Sequence, residues 1–338
     1  MKKCIKNAPL VSIVMGCYNN EDTIKESINS ILVQTYSNFE FIIIDDCSKD
    51  HTVDIINSIR DSRIRLMINS ENKGLGYSLH TGVCEAKGIY IARMDADDIS
   101  YPNRIEEEVL FLQKNPEVIC VGSWAKKIGN ISTLTKLFNP YIKCPVDHEL
   151  IKIMLLVGTP MMHPSVMMNA RLLREQKLNY DPNFKRAQDY ELWTRMIWKG
   201  RMANIPKPLL AYRYSHKQVS FINGGEQKTH SKAFRTRMLE HLFNRELTEE
   251  EIEIHQLVAN NKGLSEYNLK RVETWLNLLS VKVLNSNIYD KKYFFYFFSK
   301  RWAVLCRLAL KRHIACKRYF SNKYLGKFNF YSIISLLK

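Results

Sequence analysis

Two carboxylates separated by one residue, Asp95 and Asp97, directly follow a run of apolar residues. Side chains at this spacing can ligate one divalent cation together, and hard oxygen ligands suit Mg²⁺ or Mn²⁺. A cation held there would neutralise a diphosphate and stabilise a nucleoside diphosphate as it leaves. Acidic loops are common, so the pair alone indicates a metal site without indicating its purpose.

The elements that must position this pair are alternating strands and helices. Buried strands are predicted where apolar residues run together, at Leu10–Met15, Phe39–Ile44, Arg63–Ile68 and Ile89–Met94. Apolar residues at helical spacing separate these runs. The repeat predicts an α/β fold, Rossmann-like, with a mostly parallel sheet and helices on both faces.

Three other polar clusters, Tyr18-Asn19, Asp45-Asp46 and Asn72–Gly74, also stand at predicted strand ends or on the loops that leave them. Ligands of open α/β sheets bind beyond the carboxyl ends of the strands, so we expect all four clusters at one rim. Ordinary turn chemistry explains any single cluster equally well. It explains the four together less well.

Bulk composition indicates a folded protein with an anionic partner. Of 338 residues, 46% are hydrophobic and 25% charged, and the formal net charge is +16. Nucleic acid, an anionic membrane and phosphorylated substrates all fit that charge. The eight cysteines form no C-x-x-C pair, no apolar run reaches membrane-spanning length, and the N-terminus has no signal-peptide core. We therefore expect a reduced, cytoplasmic protein without a spanning helix.

The C-terminal third is helical in pattern and strongly basic. Residues 289–338 hold twelve Lys or Arg against one acid, Asp290, and include the aromatic run Tyr293–Phe298. Aromatic residues mixed with basic ones are typical of an interfacial helix on anionic lipid. Nucleic-acid binding is the competing interpretation, but no recognition motif accompanies the charge. A solvated basic face is the plainer alternative.

The chain resembles the family-2 glycosyltransferases of the GT-A fold in several motifs that occur in the family's order. The matching segments are Val11–Met15 with Tyr18-Asn19, Ile43–Asp50, Asn72–Gly74, Ala92–Asp98, His163–Ser165 and Ala187–Arg195. Cys47 stands where the family's V-D-D-G-S-x-D motif usually has glycine. A non-glycine residue tolerates positive φ poorly, so this turn is where the geometry is expected to depart from the family's. Gln188 replaces the usual glutamate of E-D-Y-x-L-W-x-R.

The resemblance implies a role for each matching residue of the donor site. Asp46 would hydrogen-bond the uracil ring, and Tyr18 and Asn19 would line the base pocket, with Asn72 and Gly74 forming the adjacent turn. Asp95 would contact the ribose or the metal-bound phosphates, and Asp97 would ligate the metal.

Three further residues of these motifs could act on substrate. Asp189 matches the catalytic base, and the apolar stripe that includes Leu192 and Trp193 would hold it at the first turn of a helix, where it could instead merely stabilise the N-terminus. Arg93 could contact substrate or pair with a neighbouring carboxylate. His163 could contact donor phosphate or acceptor, or be a buried structural histidine.

The resemblance thus implies a GT-A domain over residues 1–215, and the pattern of the remaining chain predicts a helical, basic, membrane-surface module over 216–338. The activity would be metal-dependent, inverting transfer of a hexose, glucose or galactose favoured, from a UDP-sugar to a lipid-linked acceptor. An example is GlcNAc-diphospho-undecaprenol, in O-antigen or capsule assembly at the inner face of the cytoplasmic membrane. Two alternatives stay open: a nucleic-acid-binding protein with a degenerate α/β domain, and a metal-dependent nucleotidyltransferase, although residues 14–18 lack the Gly-rich loop of the latter.

Overall fold

The chain packs into two compact units. The computed structural model describes residues 8–214, 224–261 and 264–326. The first unit, here the sheet unit, comprises Met1–Asp147 and Pro160–Lys228, and the second, the helical unit, comprises His148–Thr159 and Thr229–Lys338. The sequence analysis had placed 148–159 in the first domain, whereas these residues pack with the helices. The domain boundary predicted at residue 215 lies outside the described residues.

One sheet runs through the sheet unit. Its strands are β1 Val11–Cys17, β2 Phe39–Asp45, β3 Ile64–Ile68, β4 Tyr90–Asp95, β5 Ile99–Ser100, β6 Val118–Gly129, β7 Tyr141–Ile142, β8 Met167–Asn169 and β9 Arg201–Tyr214. Their order is β3-β2-β1-β4-β8-β6-β9-β5, with β7 paired to β6. The first four strands are parallel, as are β6 and β9, while β5, β7 and β8 pair antiparallel to their neighbours. The four predicted strands and the mostly parallel sheet are confirmed.

Helices cover both faces of the sheet. Those that precede β9 in the chain are α1 Ile24–Leu32, α2 Thr52–Ser58, α3 Leu75–Glu85, α4 Arg104–Lys114, α5 Thr133–Phe138, α6 His148–Met154, α7 Ala170–Glu175 and α8 Gln188–Met196, of which α6 belongs to the helical unit. Alternate side chains of a strand face opposite ways. Accordingly Ile13 packs in one core with Ile28 of α1 and Ile105 of α4. Its neighbour Val14 faces α3, where Gly82 allows close approach.

The helical unit contains α6 and the helices that follow the sheet. These are α9 Gly224–Phe243, which enters the helical unit at Thr229, α10 Glu249–Asn260, α11 Glu266–Leu284, α12 Lys291–Ala309 and α13 Arg312–Ser321. Thr248 and Glu251 form a capping box at the start of α10, each satisfying the other's backbone amide. The apolar stripe of α11, including Val272 and Leu276, is fully buried.

The aromatic run of α12 contributes to the core of the helical unit. Phe294, Phe298 and Trp302 recur every fourth residue on one side of the helix, and all three are fully buried. The interfacial interpretation of the run Tyr293–Phe298 is therefore wrong for Phe294 and Phe298, which belong to this core. Tyr296 is exposed. Membrane binding through the basic C-terminal segment stays a prediction.

Among the helices in the described part of the chain, none combines the length and the apolar content needed to cross a membrane.

Candidate functional site

Three neighbouring parallel strands end at the same edge of the sheet. In the register, Cys17 lies beside Asp45, and Gly16 lies beside Asp95. The loops that leave β1, β2 and β4 therefore start side by side. This shared edge, the carboxyl rim, is where the sequence predicted the ligand site.

Hydrogen bonds join the loops that follow β1 and β2. The Asn19 amide donates to Ser48 Oγ at 3.0 Å, and the Asn19 side-chain oxygen accepts from the Lys49 amide at 2.8 Å. Asn19 adopts a left-handed conformation with φ 51°, which asparagine tolerates better than most residues. Tyr18 beside it is exposed, so its ring is available to a ligand at the rim.

The carboxylate of Asp46 is held by the turn that precedes α3. Its Oδ1 accepts from the Lys73 amide at 2.9 Å and from Asn69 Nδ2 at 2.8 Å, while Oδ2 accepts from the Gly74 amide at 2.7 Å. Gly74 has φ 89°, a conformation that favours glycine. Asp46 thus organises the Asn72–Gly74 turn, in which Asn72 is exposed. Its predicted contact with uracil stays a prediction.

The turn at Cys47 keeps the conformation that glycine favours. Cys47 has φ 63°, in the left-handed region. Lys49 Nζ lies 3.2 Å from its Sγ. The replacement of glycine therefore leaves a strained residue in place.

Three carboxylates meet where β4 ends. One oxygen from each of Asp95, Asp97 and Asp98 lies within 4.8 Å of the others. Burial, then the charge of Asp95, raises the pKa of Asp97 to about 6, and burial with both neighbouring charges raises the pKa of Asp98 well above its usual range. Asp98 Oδ2 is buried without a hydrogen-bond donor. Crowded oxygens with an unsatisfied acceptor fit a divalent cation, which these residues could hold.

The acidic loop, residues Asp95–Asp98, is held by hydrogen bonds from α1 and from β9. From α1, Ser27 Oγ lies 2.9 Å from the Ala96 carbonyl and 2.8 Å from the Asp98 carbonyl. From β9, Arg213 Nε donates to the Asp97 carbonyl at 2.7 Å, and the Arg213 amide donates to Asp98 Oδ1 at 2.8 Å. The carboxylates are thus positioned before any ligand binds, which limits the entropy lost on binding.

The Arg93 side chain is buried next to the acidic loop, and some of its N–H groups have no acceptor. The side chain is 2% exposed and pairs through Nη2 with Asp95. Its Nε and Nη1 are buried without an acceptor. A desolvated guanidinium with unused N–H groups beside a carboxylate cluster has strong capacity to bind anionic oxygens. Pairing with a neighbouring carboxylate, one of the two expectations for Arg93, is confirmed, and the spare donors leave a substrate contact open.

His163 is a buried neutral histidine. It begins a short 3₁₀ helix, His163–Ser165, and its Nε2 lies 2.8 Å from Tyr180 Oη. Burial and the charge of Arg93 hold the pKa of His163 well below its usual range. The Trp193 ring meets the imidazole edge-on, with centroids 6.0 Å apart. A neutral imidazole cannot attract phosphate by charge, so this environment favours a structural or positioning role.

Asp189 lies in the first turn of α8, as predicted. The stripe of Leu192, Trp193, Met196 and Ile197 is buried and anchors the helix. Burial raises the pKa of Asp189, while the Tyr190 amide and then the charge of Arg93 oppose that rise. A carboxylate whose pKa is shifted towards neutrality is better suited to accept a proton at physiological pH.

Charge effects connect Asp189 and His163 to the end of β4. The charges of Arg93 and Asp95 act on the pKa of Asp189, and the charge of Arg93 acts on the pKa of His163. Tyr18, Asn19, Asp46 and Gly74 form a second group on the neighbouring loops.

Three residues at the site were not predicted as functional from the sequence. They are Asp98, Tyr180 and Arg213. Asp98 was visible as part of the acidic run. Tyr180 and Arg213 belong to no local motif, so only the fold brings them to the site.

The chain is similar to known proteins of one family. Residues 12–175 match Glycosyl transferase family 2. An uncharacterized glycosyltransferase of Haemophilus influenzae is 34% identical over 294 residues, which cover 85% of this chain and 86% of that relative. The chain belongs to glycosyltransferase family 2. An uncharacterized glycosyltransferase of Methanocaldococcus jannaschii is 35% identical over 230 residues, covering 66% of this glycosyltransferase and 77% of the relative.

A solved structure supports the fold. S. aureus TarS 1-349 in complex with UDP-GlcNAc superposes with a TM-score of 0.58 at 17% identity, covering 94% of this glycosyltransferase and 89% of that chain. At this identity the likeness concerns the fold alone, and the predicted GT-A class is confirmed. With the family established, the nucleotidyltransferase and nucleic-acid alternatives lose their support.

Proposed function

We propose that this glycosyltransferase is metal-dependent and inverting, and that it transfers a hexose from a UDP-sugar to a lipid-linked acceptor. The observation that carries the proposal is the carboxylate cluster where β4 ends, with Arg93 paired to Asp95 and the charges of both acting on Asp189. A cation held by the cluster would neutralise charge on the leaving group, and a separate carboxylate would take the proton of the nucleophile. Inverting transfer requires both.

The proposed mechanism assigns the proton to Asp189. Its carboxylate takes the proton of the acceptor hydroxyl as that oxygen bonds to the anomeric carbon. The bond from that carbon to the diphosphate oxygen breaks, and UDP leaves with the electron pair. Attack opposite the leaving group inverts the anomeric configuration.

The leaving diphosphate would be held at the acidic cluster. Asp97 and Asp95 would hold Mn²⁺ or Mg²⁺, with Asp98 as a third carboxylate, and the ion would neutralise charge on the departing UDP. Arg93 would donate its unused N–H groups to the same oxygens. Tyr18 and Asn19 would line the base pocket.

The acceptor proposed is a diphosphate-linked lipid such as GlcNAc-diphospho-undecaprenol, as in O-antigen or capsule assembly. Support comes from the resemblance and from the basic residues of α12 and α13. The enzyme would then work at the inner face of the cytoplasmic membrane, attached peripherally. Glucose and galactose are the favoured donor sugars, and UDP-GlcNAc joins them as a candidate because the TarS complex contains it.

The test is a donor screen with UDP-glucose, UDP-galactose and UDP-GlcNAc against a synthetic GlcNAc-diphospho-lipid, with Mn²⁺, Mg²⁺ or EDTA present. We expect transfer that EDTA abolishes, and a product whose anomeric proton coupling shows inversion. Asp189→Asn should lower kcat by roughly 10²- to 10⁴-fold while UDP affinity stays unchanged. Asp54→Asn, at an exposed aspartate, is the matched control.

Each part of the proposal has its own contrary result. Full turnover by Asp189→Asn would remove the base assignment. Turnover that persists in EDTA would rule out a required metal, and retained anomeric configuration would rule out inversion.

A further inference from the structure

The part of the chain that runs from the second half of β6 to just beyond β7 exposes large apolar side chains. This segment, residues 124–146, is here called the α5 hairpin. On α5 itself, Leu134, Leu137 and Phe138 are 69%, 71% and 77% exposed, and Tyr141 and Val146 are exposed as well. Monomeric proteins seldom leave such side chains together in water without a partner.

Hydrogen bonds give the α5 hairpin a defined shape. Ser132 caps the helix by accepting from the Thr135 amide at 3.2 Å. Across the hairpin, the Lys127 amide donates to the Pro140 carbonyl at 2.8 Å, and Lys127 Nζ donates to the Asn139 carbonyl at 3.0 Å. The apolar side chains are therefore presented by a built element.

The charge of the α5 hairpin selects an anionic partner. Residues 124–146 contain four lysines, at 126, 127, 136 and 143, and no aspartate or glutamate. Apolar side chains with lysines and no acids are the composition of segments that enter the headgroup region of anionic bilayers.

We propose that the α5 hairpin inserts Leu134, Leu137 and Phe138 into the surface of an anionic lipid bilayer. A second copy of the chain is a poorer occupant, because its hairpin carries the same positive charge. Three side chains also bury roughly 500 Å², less than the roughly 800 Å² per partner of a stable protein interface.

This lipid contact lies close to the carboxyl rim. Ile128 and Gly129, which lead into the exposed part of the hairpin, pair with Arg213 and Tyr214 of β9. Arg213 in turn holds the loop of Asp97 and Asp98. The hairpin thus starts one strand away from the loop that Arg213 holds.

The test is partition of the full chain onto vesicles of phosphatidylglycerol and phosphatidylcholine in equal parts, measured by flotation without donor or acceptor. The triple variant Leu134→Ser, Leu137→Ser, Phe138→Ser should bind roughly tenfold more weakly or worse, because three apolar side chains no longer leave water. The matched control is Val33→Ser, Ile68→Ser, Ile89→Ser, at three side chains of the same unit that are more than half exposed. It should bind as wild type does, and both variants keep the basic C-terminal segment.

Insertion itself is read from a tryptophan placed on the hairpin. The chain has five tryptophans of its own, so wild type is the baseline: Phe138→Trp should add fluorescence that brominated phosphatidylcholine in these vesicles quenches, whereas the fluorescence that Val33→Trp adds should not be quenched. Equal partition of the triple variant and wild type would overturn the proposal, as would equal quenching at the two positions. A triple variant that alters only the self-association of the protein would assign the hairpin to a second copy and overturn it too. None of these results depends on sugar transfer, so the proposed function stands or falls separately.

Discussion

Cys47 occupies a backbone conformation that costs free energy in residues other than glycine. Its φ of 63° brings Cβ close to the following carbonyl oxygen, a conflict worth about 1 kcal/mol. The turn nevertheless forms, because both flanks are held: the Asp46 amide donates to the Cys17 carbonyl at 2.8 Å, and the Ser48 amide donates to Asp45 Oδ2 at 2.9 Å. The surrounding hydrogen bonds therefore impose the family geometry on an unfavourable residue.

Replacing Cys47 by glycine should stabilise the protein. We expect Cys47→Gly to raise the free energy of unfolding by about 1 kcal/mol, because the strain is relieved. Cys47→Ala is the matched control, since it removes the thiol and keeps Cβ. Urea denaturation of both variants gives the comparison, and glycine no more stable than alanine would contradict the strain.

Arg93 should matter through the shape of its donors as well as through its charge. Arg93→Lys keeps one positive charge near Asp95 and loses the planar fork, so we expect kcat/KM to fall roughly tenfold or more. Arg65→Lys on the edge strand β3 is the control, because Arg65 pairs with Glu85 there. Steady-state kinetics with saturating metal measures the effect. Wild-type kcat/KM in Arg93→Lys would show that only the charge is needed.

At the scale of elements, the acidic loop depends on a helix far from it in sequence. Ser27 of α1 reaches two carbonyls of the loop, and Thr23 Oγ1 donates to the Ala96 carbonyl at 3.0 Å. Helix α1 is itself fixed to the sheet by Ile24, Ile28 and Ile31, all fully buried. The rigidity of the acidic loop is thus set by the packing of α1.

Removal of the Ser27 hydroxyl should loosen the loop. Ser27→Ala removes the Ser27 donor from the Asp98 carbonyl, while the Ala96 carbonyl keeps Thr23 Oγ1, and we expect a cost of about 1 to 3 kcal/mol of unfolding free energy. The metal concentration for half-maximal turnover should also rise. Ser58→Ala, at an exposed serine of α2, is the control for losing a serine hydroxyl on a helix. An unchanged metal requirement would separate the loop from α1.

Sequence alone predicts what local pattern encodes. The four parallel strands and their polar ends follow from apolar runs and strand–helix alternation, and Asp189 follows from its motif and its helical stripe. The antiparallel insertion of β8 between β4 and β6 has no such signature, because three residues of strand give little pattern. The contact of Arg213 with Asp98 spans 115 positions and depends on the register of β9. Nonlocal pairing of this kind is a property of the folded sheet.

At the scale of the whole molecule, the helical unit has its own polar core contact. His255 Nε2 lies 2.6 Å from the Leu156 carbonyl, and the Trp275 indole donates to His255 Nδ1 at 3.1 Å. Both ring nitrogens are satisfied only when the imidazole is neutral, because a protonated Nδ1 could not accept from Trp275. Burial lowers the pKa of His255 to about 4.

The helical unit should therefore lose stability in mild acid. In the unfolded chain His255 has a pKa of about 6.5 and binds a proton below that pH, whereas in the folded state it stays neutral down to about pH 4. The free energy of unfolding therefore falls as the pH drops from about 6.5 to about 4. The full loss from His255 is about 3 kcal/mol. His255→Gln, which can donate and accept at the same places without titrating, should flatten this dependence in thermal unfolding scans. An equally steep dependence in the glutamine variant would assign the loss to other groups.

Residues 148–159 leave the sheet unit, join the helical unit and return at Pro160. Ile151, Leu155 and Leu156 of this segment are fully buried. A stop codon placed after residue 228 would keep these side chains in the product and remove the helices that cover them, so such a truncation should be insoluble. Truncation of the chain after residue 228 therefore does not remove the whole helical unit. Any chimaera that exchanges it with a relative's must also replace the twelve-residue insert in the middle of the coding sequence.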